Sequence, residues 1–469
     1  MRSFSMQPSR ENIMSSLKRN LLDRNEDVFR FASMLTYVDG PMSIAIDGRW
    51  GSGKTFFVKQ AQAVLEMHNT NINSNKQWLA EEKDALLANC KENLLRELES
   101  NPQIPVYFDA WENDDSQEPV LSIVYEIVKY LGNECEFGGA NEIKILDAAA
   151  SVADLFTDKK ASELIKLLKK NDLLEEVKRQ KSVKETVTEF LETALAERGN
   201  RMVIFVDELD RCKPSFTIKL LERIKHYFEC ECVTFVFSVN IEELQHTVKQ
   251  FYGGDFNAGL YLSRFFDLQI SLPPANMDRY FMSVGLTGKG FIFEKVCFAV
   301  INVMQLELRE IQQFYSSAKM VAYNITHSSS FGNGDKYEDG VDFCLLYIAP
   351  VLVGSKIHSP SEYANIVMGR DCSSIISILC SSKEVVSSLA NIFGVKSNPG
   401  NSDTMINKVK EKIGTVYSSV FENPSEPGKV ISEMLFSAKQ RMIYFALHLF
   451  CQSLLNIKSL RLMGYNLNR

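Results

Sequence analysis

The chain of 469 residues has no CxxC pair among its ten cysteines, and none of its six histidines (His68, His226, His246, His327, His358 and His448) is spaced for zinc. A structural zinc site, a disulfide frame and an HNH-type nuclease centre are therefore not expected, and nucleolysis would have to come from a partner. Scattered thiols of this kind suit a reducing compartment, and the expected location is cytoplasmic. An apolar run of the ~20 residues that span a bilayer is lacking too. The most apolar stretch, FCLLYIAPVLV (343–353), is short and interrupted by Pro350, so it reads as buried helix and no transmembrane segment is expected. The first residues, MRSFSMQPSRENIM, lack the apolar core of a signal peptide. Nor is there an excess of positive charge. With 52 Lys and Arg against 59 Asp and Glu the net charge is −7, so whole-surface attraction to nucleic acid or an anionic membrane is not indicated.

What is present is the composition of a globular protein, 45% hydrophobic and 24% charged. The length exceeds one typical core and predicts two or three packed units. Five short apolar runs each end in a polar or turn residue: MSIAID (42–47), IPVYFD (104–109), MVIFVD (202–207), VTFVFSVN (233–240) and FDLQISLP (266–273). Several are nearly continuous in Val, Ile and Phe, as strands covered on both faces must be. Helical spacing between them, as in FTIKLLERIKHYF (216–228), predicts an α/β fold with a parallel sheet flanked by helices. Helical insertions interrupt the alternation at about 69–101 and 134–190. The second holds nine Lys and Arg interleaved with six acids over 158–185, the pattern of a solvated face. After 275 the pattern turns helical, with a late helix in VISEMLFSAKQRMIYFALHLF. The expected division is a nucleotide-binding domain over 1–275 and a mostly helical C-terminal domain over 276–469.

Residues 48–55, GRWGSGKT, fit the phosphate-loop pattern GxxxxGK[ST] and stand between an apolar strand and a helical run. Glycines let such a loop fold tightly, so that its N–H groups and the helix dipole point at phosphate oxygens. The candidate nucleotide contacts are Gly48, Trp50, Gly51, Ser52, Gly53, Lys54, Thr55 and Phe56. Lys54 would place its charge on the terminal phosphates, and Thr55 would give a hydroxyl to Mg²⁺. The run MVIFVDELDR supplies Asp207 at a strand end for the metal and Glu208 as general base for water. Asp210 and Arg211 follow, either paired with each other or bracing the site. Asn240, at the tip of the next strand, is a candidate γ-phosphate sensor or a turn cap. Arg264 and Arg309 are candidates for the positive charge that stabilises phosphoryl transfer, delivered from another subunit or domain. There is no NKxD element of the kind that reads guanine, so ATP with Mg²⁺ is the expected ligand pair.

These motifs, in the order GRWGSGKT, VYFDAWEND (106–114), VIFVDELDRCKPSFTIKLLERIKHYF (203–228) and VTFVFSVNIEELQHTV (233–248), resemble the KAP family of P-loop NTPases over roughly residues 10–315. The Trp-Gly inside the loop and the aromatic-x-Ala-Trp strand end carry the resemblance. It implies a catalytic-glutamate NTPase core with an additional strand and sheet order 5-1-4-3-2. Its members include bacterial proteins that exclude phages and animal membrane-associated scaffolds. Two departures stand out. The insertions between phosphate loop and Walker B strand are charged rather than transmembrane, and Asp109 stands where family members usually have Asn. An aspartate cannot donate the hydrogen bond by which such an amide holds a catalytic glutamate, and near Glu208 it would repel. Asp109 is therefore expected near the γ-phosphate side, with a different role.

The leading expectation is an ATP-hydrolysing switch or motor, in a homo-oligomer or with a partner that supplies an arginine in trans, acting in defence against phages. The alternative is a nucleotide-dependent scaffold or signalling protein without significant turnover. A small-molecule or polynucleotide kinase is disfavoured by Glu208 and by the lack of an arginine-rich lid.

Overall fold

The computed structural model describes residues 7–72, 92–134, 140–156, 173–286, 292–326, 344–395 and 402–418. The late helix expected after 430 and parts of both insertions lie outside them. The chain divides into two compact units, one ending at Tyr280 and the other beginning at Phe281.

The first unit opens with helices α1 (Arg10–Arg19) and α2 (Asn25–Thr36), followed by strand β1 (Met42–Asp47) and helix α3 (Lys54–His68). Helix α4 (Glu92–Ser100) leads to β2 (Gln103–Asp109), and α5 (Pro119–Glu134), α6 (Ala140–Phe156) and α7 (Leu173–Leu195) lead to β3 (Arg201–Asp207). Then come α8 (Pro214–Tyr227), β4 (Val233–Val239), α9 (Ile241–Tyr252), α10 (Ala258–Leu262) and β5 (Leu268–Ser271). All pairings are parallel, and the strand order is β2-β3-β4-β1-β5, which is the expected 5-1-4-3-2 read from the other edge.

Period-two alternation explains how one strand serves two cores. Ile44, Ile46, Val203, Phe205 and Val236 point to the side covered by α1, α2 and α3, where Leu17, Phe29, Leu35 and Val58 meet them. Ala45, Met202, Ile204, Val206, Phe235 and Phe237 point to the opposite side, against Ile127, Phe190, Phe216 and Leu221. β3 and β4 are buried throughout, whereas the edge strand β5 alternates between partly buried and exposed.

Register then decides which side chains share an edge. Asp109 stands opposite Asp207, Asp207 opposite Ser238, and Asp47 opposite Val239, so the strands finish together. In open parallel sheets this carboxyl edge, where strand order reverses, is the ligand-binding crevice.

The second unit is helical. Beyond α11 (Met277–Val284), within which the division falls, it contains α12 (Ile292–Met304), α13 (Leu308–Thr326), a π turn (Cys344–Ile348) and α14 (Ala349–His358). It continues with α15 (Pro360–Val367), α16 (Ser373–Leu379), α17 (Lys383–Ile392) and α18 (Ser402–Tyr417). Pro350 sits in the first turn of α14, where its missing N–H costs no helical bond, and Ala349–Val353 are buried. Gly354 lets α14 approach α12, since a Cβ there would stand 2.4 Å from Val300 Cγ1. Among the described residues no single helix is long and apolar enough to cross a membrane.

Candidate functional site

The loop between β1 and α3 departs from ordinary backbone where the sequence has glycine. Gly51 and Gly53 have φ of 82° and 96°, in the left-handed region that L side chains rarely adopt. A Cβ on Gly48 would stand 3.0 Å from Ser52 Oγ. Ser52 closes the turn by donating from both Oγ (2.7 Å) and N (3.2 Å) to the Arg49 carbonyl. From beneath, the buried Arg24 donates from Nη1 to the Ser52 carbonyl at 3.1 Å. A lone arginine between two helices gave no sign of this role in the sequence.

Lys54 is buried, and its Nζ donates to the carbonyls of Gly48 (2.6 Å) and Arg49 (3.1 Å). Burial pulls the ammonium below the usual lysine range, opposed by Asp210, Asp207, Glu208 and Asp47 around it. Its charge is thus held at the edge by Asp47 just before the loop and by three carboxylates distant in sequence. Thr55 is partly buried in the first turn of α3, and Phe56 packs on the core beside β1.

The Walker B strand β3 delivers Asp207, 1% exposed. Its Oδ1 accepts from Glu208 N at 3.0 Å and its Oδ2 from Tyr107 Oη at 3.0 Å. Tyr107 lies on β2, its ring under Lys59 Nζ at 4.2 Å, and burial beside Asp207 pushes its hydroxyl far above the usual phenol range. It therefore remains a donor and fixes the carboxylate. In the sequence Tyr107 had no role beyond its place in the apolar run IPVYFD.

Glu208 adopts φ 60°, which turns its side chain out of the strand direction. Burial, and then the charge of Asp207, push its carboxyl up to about 7, with Arg211 opposing. Arg211 Nε meets Glu208 Oε2 at 2.6 Å. The guanidinium carbon also stands 5.9 Å from the ring centre of Trp50 and 5.7 Å from that of Trp111. Asp210 and Arg211 thus do not pair with each other. Asp210, 6% exposed, accepts from Trp50 Nε1 at 2.6 Å and from Asn240 N at 3.1 Å, both at Oδ2. One carboxylate thereby ties the phosphate loop, the Walker B turn and the tip of β4 together.

Asn240 is the N-cap of α9, its Oδ1 accepting from the N–H groups of Glu242 (3.2 Å) and Glu243 (3.4 Å). Only its amide NH₂ is left for a ligand. Asp109 does the same for the turn after β2, its Oδ1 accepting from Trp111 N (3.0 Å) and Glu112 N (3.1 Å). Burial raises its carboxyl above the usual range, with the charges of Glu112 and Asp207 adding to it. The turn itself is latched to α8: Lys213 meets Asp114 and Asp115, and Arg223 grips Glu118 through Nε (3.1 Å) and Nη2 (3.2 Å).

Arg264 is not brought to this edge. It lies three residues before Asp267, whose carboxylate accepts from Ser43 N at 2.8 Å at the start of β1, and β5 sets Leu268 opposite Ile44. The phosphate edge is at the other end of a strand about 20 Å long. Arg264 is exposed and makes no side-chain ion pair among the described residues. Arg309 belongs to α13 of the second unit and is exposed.

The donor set at the edge fits Mg²⁺. A hydroxyl from Thr55 and a carboxylate from Asp207 are hard oxygen donors, and this ion keeps several waters and shares phosphate oxygens rather than needing a protein cage. No group of three or more His, Cys, Asp or Glu residues suited to a metal occurs among the described residues.

Comparison with known proteins agrees with this geometry. The KAP family P-loop domain matches residues 29–282, more than half of the chain. An uncharacterized protein of Methanocaldococcus jannaschii is 27% identical over 172 residues, covering 29% of this chain and 89% of that protein.

Proposed function

The chain belongs to the KAP family of P-loop NTPases, and from that premise we propose that it binds and hydrolyses ATP as a switch or motor whose turnover changes its assembly or conformation. The observation that carries the reading is the meeting of Lys54, Asp207 and Glu208 at one sheet edge, although the loop and the Walker B turn lie 150 residues apart in sequence.

In this reading the loop N–H groups and Lys54 bind the β- and γ-phosphates, with Nζ exchanging the carbonyls of Gly48 and Arg49 for phosphate oxygens. Thr55 and Asp207 hold Mg²⁺, which supplies charge neutralisation at the phosphates when bound. Glu208 takes the proton of the attacking water, and its raised carboxyl suits a base near neutral pH. Arg211 and the two tryptophans set the orientation of Glu208. Arg264 acts on the site of a neighbouring copy, because it sits at the wrong end of its own sheet.

Steady-state turnover tests this. Lys54→Ala and Glu208→Gln should each lower kcat by about 10²-fold or more, with Glu208→Gln still binding ATP. An intact protein that binds ATP without turnover would overturn hydrolysis and leave the second reading, a nucleotide-dependent scaffold. The observation favouring that alternative is the ion pair that engages Glu208 Oε2 with Arg211. A role in phage defence is supported by the resemblance alone. Plaque counts on cells expressing the intact chain or Lys54→Ala would test it, and equal counts would remove it.

A further inference from the structure

Where α8 gives way to β4, the chain reads Phe228-Glu229-Cys230-Glu231-Cys232-Val233 and makes a tight turn. Val233 N donates to the Cys230 carbonyl at 3.2 Å, closing the turn, and Met202 N donates to the Cys232 carbonyl at 2.9 Å, anchoring it to β3. These bonds put the two sulfurs 2.7 Å apart. That is about 0.7 Å more than a disulfide bond, so no other atom separates them. Cys230, between the exposed Glu229 and Glu231, is 8% exposed, and Cys232 is half-buried.

We propose that Cys230 and Cys232 form a redox-active dithiol that a peroxide converts to an intramolecular disulfide. The thiols differ in character. Donation from the Cys232 thiol and from its backbone N–H holds the Cys230 thiol below the usual range, with burial and Glu192 opposing and Arg201 assisting. The Cys232 thiol is correspondingly pushed up. Arg201 lies in the same corner, its Nη1 donating to the carbonyls of Gly40 (2.8 Å) and Val233 (3.3 Å) and to Thr234 Oγ1 (3.2 Å). It makes no ion pair with a carboxylate among the described residues, so its charge is available to a thiolate. A low-pKa attacking thiol in contact with a second, resolving thiol is the arrangement in which a sulfenic acid condenses to a disulfide, and once Cys230 is oxidised the thiolate that holds the Cys232 proton is gone.

The chemistry balances in two steps. The Cys230 thiolate attacks one oxygen of hydrogen peroxide, forming an S–O bond as the O–O bond breaks, and leaves a sulfenic acid with hydroxide. Cys232 sulfur then attacks Cys230 sulfur, the S–O bond breaks, and the thiol proton leaves with the oxygen as water. The sulfurs together lose two electrons, and peroxide gains them. This site is at the amino end of β4, away from the phosphate edge, and its chemistry needs neither nucleotide nor turnover.

The test is limited peroxide treatment of the full chain, quenching with catalase, alkylation, digestion and mass spectrometry. The expected product is one peptide with Cys230 and Cys232 joined, protected from alkylation and released by dithiothreitol. The partly exposed Cys372 and Cys380 should remain at least about tenfold more reduced at the same dose. In Cys232→Ser, a dimedone adduct should accumulate on Cys230. If Cys372 or Cys380 oxidise as fast as the pair, or if the intact chain carries Cys230 as sulfinic acid with Cys232 still alkylatable, the proposal is wrong. The readout on the intact chain holds whether or not a serine variant folds.

Discussion

Asp210 shows how much one side chain decides here. Its buried Oδ2 accepts from both the Trp50 indole N–H and the Asn240 backbone N–H, so Trp50→Phe keeps the ring near Arg211 and removes one donor from a buried carboxylate. Hydrogen bonds to charged groups are worth about 1.5–3 kcal/mol. Denaturant unfolding of Trp50→Phe should show a loss in that range, and an unchanged midpoint would mean that the bond contributes nothing. Tyr107 makes a second case. Tyr107→Phe deletes the donor to Asp207 Oδ2 while leaving the ring under Lys59. Supporting contacts of this kind typically change metal affinity about 10–100-fold, so Mg²⁺ titration of ATP turnover should show a rise of at least about tenfold in the half-saturating concentration. Neither role was legible in sequence, because a tryptophan in a glycine-rich loop and a tyrosine in a strand do not reveal their distant hydrogen-bond partners.

Elements set the geometry that these residues use. The phosphate loop depends on left-handed backbone at Gly53, φ 96°, where α3 begins. A side chain there costs about 1–2 kcal/mol and disfavours the backbone conformation that points the loop N–H groups at phosphate. Gly53→Ala should therefore lose ATP binding by more than about tenfold, measured by calorimetry, for a stability loss of only that order. The loop, the strand before it and the helix after it were readable from pattern, since each obeys a local rule. The turn after β2 was less so. Asp109 was expected on the γ-phosphate side; it stands opposite Asp207 at the sheet edge, and there its Oδ1 also accepts from the N–H groups of Trp111 and Glu112. A capping role uses only neighbouring backbone, but the sequence around Asp109 gave no reason to choose it over a ligand role.

Across the whole molecule the decisive fact is that Arg264 and the phosphate loop occupy opposite ends of one sheet. This makes a test of subunit exchange possible. Arg264→Ala and Lys54→Ala should each be defective alone, yet a mixture should regain turnover, because the Lys54→Ala copy still offers Arg264 to the intact site of the other. A mixture no more active than its parts would remove the arginine in trans. Molar mass measured by light scattering with ATP and Glu208→Gln should rise on the same reasoning, and an unchanged monomer would count against assembly.

The sequence by itself determined the strands, their parallel arrangement, the phosphate loop and the Walker B pair, because periodicity, glycine and strand-end acids act over a few residues. It also marked the kinship, through Trp50-Gly51 and the Phe108-Asp109-Ala110-Trp111 strand end. Only the tertiary structure decided that Arg211, beside two tryptophans, holds Glu208, that Asp210 joins three segments, and that Arg264 stands at the opposite end of the sheet from the phosphate loop. Those outcomes depend on register between parallel strands, which brings residues more than a hundred positions apart to one edge and which no local pattern encodes.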